Sequence, residues 1–178
     1  MKVCVFPQQK RVFLVNQFCA GVANRVWAGV YPQASLFDEH HNTMKTQSVL
    51  EAADVKAIAA AAEAEALKNN WAVSIAIVDA GGHLLNFHRL DGAPPVSAHI
   101  APAKAHTAAL GRRESKGYED VINGGRYSFL SAPTIQGMLE GGVPIMKDGF
   151  CLGAVGVSGV KSSEDAQIAK AGIAAIGL

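Results

Sequence analysis

The chain is short of cysteine, of clustered charge and of long apolar runs, and each shortage removes a class of function. Its three cysteines, Cys4, Cys19 and Cys151, are odd in number and irregular in spacing, which argues against a disulfide framework and against a zinc site. Cys151 sits in an apolar run and reads as a buried thiol behaving as a small hydrophobe. Nothing in this usage demands an oxidising compartment, and a cytoplasmic location is expected. No window approaches the roughly 18 consecutive apolar residues of a membrane span. The net charge of +1 is unclustered, and Arg112-Arg113 is the only basic doublet beyond residue 43, so no nucleic-acid partner is expected.

What is present describes a soluble, Ala/Gly-rich globular protein. The 178 residues are 49% hydrophobic and 17% charged, with 18 glycines, enough for one domain with a real core and an appendage. Residues 1–43 read differently from the rest. Lys10-Arg11 followed by VFLVNQFCAGVA superficially resembles a signal peptide, but Asn16 and Gln17 interrupt the apolar stretch and the basic pair lies late. Secretion is the lesser expectation. An irregular extension ending in the polar linker Asp38 to Thr43, or upstream sequence preceding a start at Met44, is favoured.

From Ser48 onward the pattern is regular. Ser48-Val49-Leu50-Glu51 has the form of a capping box, and AADVKAIAAAAEAEALK is dense in strong helix formers. Leu50, Ala53, Ala57, Ala60 or Ala61, and Ala64 form a smooth stripe suited to close packing. Trp71 to Val78 alternates as a strand, Asp79-Ala80-Gly81-Gly82 makes a hairpin turn, and His83 to Leu90 returns. Ser97 can cap a second helix that runs to about Leu110, with Pro102 inside it. Residues Arg112 to Gly125 read as a surface connection with at most one helical turn, and a strand is expected near Gln136 to Glu140. Val143 to Met146, the turn Lys147-Asp148-Gly149 and Phe150 to Val157 form a second hairpin. A last helix, capped by Ser162 or Ser163, runs to about Gly177. This order predicts an α+β fold, an antiparallel sheet with helices on its faces.

Four of the six histidines fall between Asp79 and Ala109. His99 and His106 are seven apart on one helix face, about 10 Å along its axis. That is too far for one metal, yet suits one imidazole as an axial haem ligand and the other beside it. Unliganded surface histidines would look the same. His83 and His88 point to opposite faces of their strand. No Ser-His-Asp arrangement is present around Ser158. Gly141-Gly142-Val143-Pro144 lacks the lysine and following helix of a phosphate loop and reads as a sharp start to the hairpin.

Three separated stretches, IVDAGGHLL, RLDGAPPVSAHIAPAKAHTA and GGVPIMKDGFCLGAVGVSGVKSSEDAQIAKAG, resemble the GlcG/HbpS family, which includes the C-terminal domain of PduO-type proteins. The resemblance covers residues 44–178. It implies a profilin-like fold, self-association into dimers to octamers, haem or a small-molecule ligand, and association with catabolism of small organic acids or aromatics. Arg89, Asp91, Ser97 and Lys104 match the family pattern. They are read either as a carboxylate- or propionate-binding set or as a loop held by Asp91 paired to Arg89 or Lys104. Gly141, Gly142 and Pro144 would complete the ligand site beside Lys104. An alternative role is a lyase, isomerase or hydrolase using Lys104, Asp91 and Arg89 on a small carboxylate or aromatic metabolite.

Overall fold

The computed structural model describes residues 46–178. The readings placed on residues 1–43 and on Met44 lie outside the described residues. Helix α1 spans Ala52–Lys68. Its cap is Glu51 rather than Ser48, with the Asp54 carboxylate returning to the Glu51 amide at 2.9 Å. The slide of three residues leaves Leu50 just outside the helix and packed on the core with Val55, the positions of a hydrophobic staple. The buried face is Val55, Ile58, Ala62 and Ala66, not the alanine stripe read from the sequence. Turning Val55 and Ile58 inward buries more apolar area than alanines alone can offer.

Strands β1 (Ser74–Asp79) and β2 (Leu84–Arg89) form the first hairpin. The Asp79 carboxylate accepts the amides of Gly81 at 2.8 Å and His83 at 2.9 Å, which ties the turn. Helix α2 covers Ser97–Gly111 with Pro102 inside it. The stretch expected to be a connection holds a two-turn helix α3, Lys116–Asn123, anchored by buried Tyr118 beneath Gly111. A short 3₁₀ segment follows at Tyr127–Ser131. Strands β3 (Gly142–Lys147) and β4 (Phe150–Ser158) make the second hairpin, and helix α4 spans Ser162–Ala174. Asp148 and Gly149, both at positive φ (50° and 79°), give its turn the twist that hairpins favour.

No strand forms at residues 136–140. Gly137 is instead pressed onto α2, where a Cβ would overlap the Ala103–Lys104 peptide, and its amide donates to Thr107 Oγ1 at 3.1 Å. Contact with a helix replaces the ladder that a strand would need.

The four strands form one antiparallel sheet in the order β2-β1-β4-β3, as expected for the α+β class. Period-two alternation divides its residues between two cores. Ile75, Ile77, Val155, Val157 and Ile145 face α1 and α4, whereas Ala76, Val78 and Ala154 face the alanines of α2. The second interface is built of small residues because α2 sits almost on the strands. A Cβ at Gly156 would overlap the Ala101 carbonyl and the Ala105 amide.

The two sheet edges differ. On β3, Gly142 exchanges bonds with Ser115: its amide reaches Ser115 Oγ at 2.8 Å and its carbonyl takes the Ser115 amide at 2.9 Å. Pro144 follows two residues on with no N–H to offer, and the register shifts between Ile145 and Met146. Edge strand β2 has neither proline nor lysine and leaves Leu84, Leu85 and Phe87 exposed.

Replacing Gly156 by alanine should force α2 off the sheet, because the obstructing atoms are backbone and cannot rotate away. The expected loss in denaturant unfolding is about 2 kcal/mol or more.

Candidate functional site

The residues singled out in the sequence fall into three separate places. The first is a buried knot around Lys104. Its Nζ lies 2.8 Å from Asp165 Oδ2 and donates to the Val157 carbonyl at 3.0 Å. Both side chains are almost wholly enclosed, at 3% and 2% exposure. Asp165 Oδ1 also accepts the Val160 amide at 3.3 Å. Gly141 and Gly142 belong to this knot. A Cβ on Gly141, whose φ is +122°, would meet Lys104 Nζ, and one on Gly142 would overlap the Lys104 carbonyl. Pro144 lies farther along β3 opposite Ala154. Burial pushes the Asp165 carboxyl above the usual carboxylate range, against the pull of the Lys104 ammonium and the Val160 amide.

The second place is the end of β2. Arg89 is turned onto the Ala93 carbonyl, with Nε at 3.1 Å and Nη2 at 2.6 Å. It thus pins the turn itself instead of pairing with Asp91. Asp91 lies exposed and lines an open groove of about 440 Å³ with Glu63, Trp71 and His88. His88 Nδ1 is 3.4 Å from Glu63. Nearby, Ser97 is the first residue of α2 rather than its cap. Its hydroxyl donates to the Pro94 carbonyl at 2.6 Å, so the 2.8 Å contact with Ser74 Oγ is donated by Ser74. This buried pair fastens the start of α2 to β1.

The third place is a concave site that α2 offers to solvent. A cavity of about 280 Å³ lies between β1–β2 and α2, lined by Val78, Gly82, Leu84, Pro102, His106 and the loop at Thr134 and Gln136. The half-buried His106 ring rests against Gly82, whose φ is +82°; a Cβ there would overlap ring atom Cδ2. Thr134 stands at φ +70°, inside a tight turn closed by the Ile135 amide on the Pro133 carbonyl at 2.9 Å. A β-branched residue held left-handed is strained, and such strain collects at ligand sites. His99 is on α2 one heptad earlier and exposed. His83 is exposed and paired with Asp79 at 3.1 Å.

Asp165 was legible only as a first-turn acid. Its spacing to Ile168, Ala169 and Gly172 places it on the buried stripe of α4, and an acid on an apolar stripe signals a buried partner. Thr134, Gln136 and Gly82 carry no such signal. They meet His106 only through tertiary structure.

Comparison with known proteins supplies a family and a fold. Residues 50–174 match the model of a family described as haem degrading protein HbpS-like. Protein GlcG of Escherichia coli K12 is 55% identical over 115 residues, which is 65% of this chain and 85% of that protein. The crystal structure of Klebsiella pneumoniae protein ORFY superposes with a TM-score of 0.71 at 27% identity, covering 76% of this chain and 96% of that one. The crystal structure of a PduOC–haem complex gives 0.66 at 32% identity, covering 72% and 95%.

The buried pair makes a discriminating prediction. Lys104→Met strands the Asp165 carboxylate in the core and should cost about 3–5 kcal/mol, whereas Lys104→Met with Asp165→Leu should recover most of the loss. In the single variant the orphaned acid keeps a raised folded-state pKa, so stability is retained below its unfolded pKa and lost as pH rises. Chemical denaturation at several pH values should show the deficit narrowing as the solution is acidified.

Proposed function

The chain belongs to the HbpS-like family of haem-degrading proteins, and on that premise we propose that it binds haem, or a small planar metabolite, at the His106 cavity. The observation that carries this reading is the imidazole itself. Of the sequence-chosen residues, His106 is the one held half-buried in a largely apolar hollow, braced by Gly82 and faced by polar Thr134 and Gln136. An imidazole in such a place is a fitting iron ligand, and a tetrapyrrole needs the apolar wall that Leu84 and Pro102 supply. Haem, when bound, would contribute an iron centre open to redox and dioxygen chemistry. The chain's part is to orient its plane and limit water on one side.

The alternative, turnover of a small carboxylate by Lys104, Asp91 and Arg89 together, draws no support from the geometry. The Lys104 ammonium is engaged by Asp165 and Val157 inside the protein, and Arg89 by Ala93. A cytoplasmic setting is part of the proposal: Cys151 is a buried free thiol, and no helix among the described residues is long and apolar enough to cross a membrane. Association into a homo-oligomer of two to eight copies is also part of it, supported by the uncovered apolar strand β2. A place in catabolism of small organic acids or aromatics rests on the family resemblance alone.

Titration of the purified chain with hemin should shift the Soret band. His106→Ala should weaken binding by about tenfold or more, and His83→Ala should leave it unchanged. A parent chain that produces no shift, or a His106→Ala variant that binds like the parent, overturns the assignment.

A further inference from the structure

The two edges of the sheet are finished differently, and the difference identifies a contact surface. Along β3 the outward positions are Gly142 and Pro144, because Gly141 faces β4 through its bond with Val157. One is already satisfied by Ser115 and the other has no N–H. Along β2, Leu90 donates to Val73 on β1 at 2.9 Å. By the alternation of an antiparallel ladder, His88 and Asn86 also turn to β1, while the N–H and C=O of Phe87 and Arg89 turn outward. Among the described residues these groups have no partner, on a strand without the proline or lysine that guards an edge. The strand is apolar on the α2 face, where Leu84 is 56% and Phe87 39% exposed, since α2 lies over β4, flanked by β1 and β3, and hardly reaches β2.

We propose that two copies of the chain pair along β2, antiparallel and two-fold symmetric about Phe87, to make one continuous eight-stranded sheet. This rests on the self-association reading above and assigns it a surface. The register follows from the residues. Centring the dyad on Phe87 places the regular part of the strand, Asn86 to Arg89, about the axis and leaves the bulge at Leu85, which lies between the partners of Ile77 and Val78, at one end of the pairing. Phe87 then meets its own copy on the α2 face, apolar against apolar. On the α1 face Asn86 of each copy meets His88 of the other, polar against polar. A dyad normal to the sheet keeps both α2 helices on one side.

The consequence for the ligand is direct. With α2 centred over β4, the two α2 helices stand five strand spacings apart, roughly 24 Å between axes. That leaves roughly 14 Å between their surfaces. Leu84 and Phe87 of both copies floor this trough, and each His106 cavity opens onto it through Leu84. The cavity of one chain is one wall of a site, and the second copy supplies the other.

Light scattering on the full chain tests this with a charge swap at the dyad. The parent should have at least twice the chain mass. Phe87→Lys and Phe87→Glu should each show no more than half the parent's mass, because like charges meet across the axis, and an equimolar mixture should regain it. Variants that keep the parent's mass, or a mixture that regains nothing, overturn the interface while leaving self-association intact. A parent that stays monomeric overturns both. Hydrogen exchange on the parent gives an answer independent of variant folding. The Phe87 and Arg89 amides should be protected at high concentration and lose protection on dilution; exchange at the rate of a free edge at all concentrations refutes the pairing.

Discussion

Lys104 and Asp165 meet where β4 ends and α4 begins, and the arrangement of every layer passes through that contact. Lys104 comes from α2 on one face of the sheet, Asp165 from α4, and the Val157 carbonyl from the strand between them. Two charges removed from water are costly, and only mutual attraction with full hydrogen bonding offsets the cost. The arrangement therefore tolerates little displacement of either helix. Gly141 and Gly142 exist at this point because nothing larger leaves room for the lysine.

The second constraint is distance. The α2 backbone lies so near the strands that Gly137, Gly142 and Gly156 each face helix backbone with no space for a methyl group. Alanine at 76, 101, 105 and 154 continues the same economy of volume. A helix held this low cannot also roof β2, so Leu84 and Phe87 stay bare and the hollow beside His106 stays open. The openness of the candidate site is a by-product of tight packing two strands away.

Much of this was legible in the sequence. Both hairpins announced themselves through DAGG and KDG, because positive φ is a local demand that glycine meets. The start of α1 and its buried face were misread, since alanine's helix propensity says nothing about which side a sheet will cover. The expected strand at 136–140 failed for a related reason: Gly137 answers to α2, which a local pattern cannot see. The quartet of Arg89, Asp91, Ser97 and Lys104 was read either as a ligand-binding set or as a loop held by Asp91 paired to Arg89 or Lys104. In the fold Lys104 is a tie between layers, Ser97 a fastening for a helix start, and Arg89 a brace on its own turn. Spacing along the chain could not separate these roles, because each depends on a partner distant in sequence: Asp165, Ser74, or the carbonyl that a turn happens to present. His106 was singled out for its residue type, but Gly82, Thr134 and Gln136, which give it a setting, were not.

Pro144 has an effect beyond the strand it interrupts. A sheet with two receptive margins can add chains at both ends without limit, which is the geometry of a filament. Here the β3 margin carries an imino acid and a serine cap at its outward positions, so that margin presents no row of free donors on which a further strand could grow.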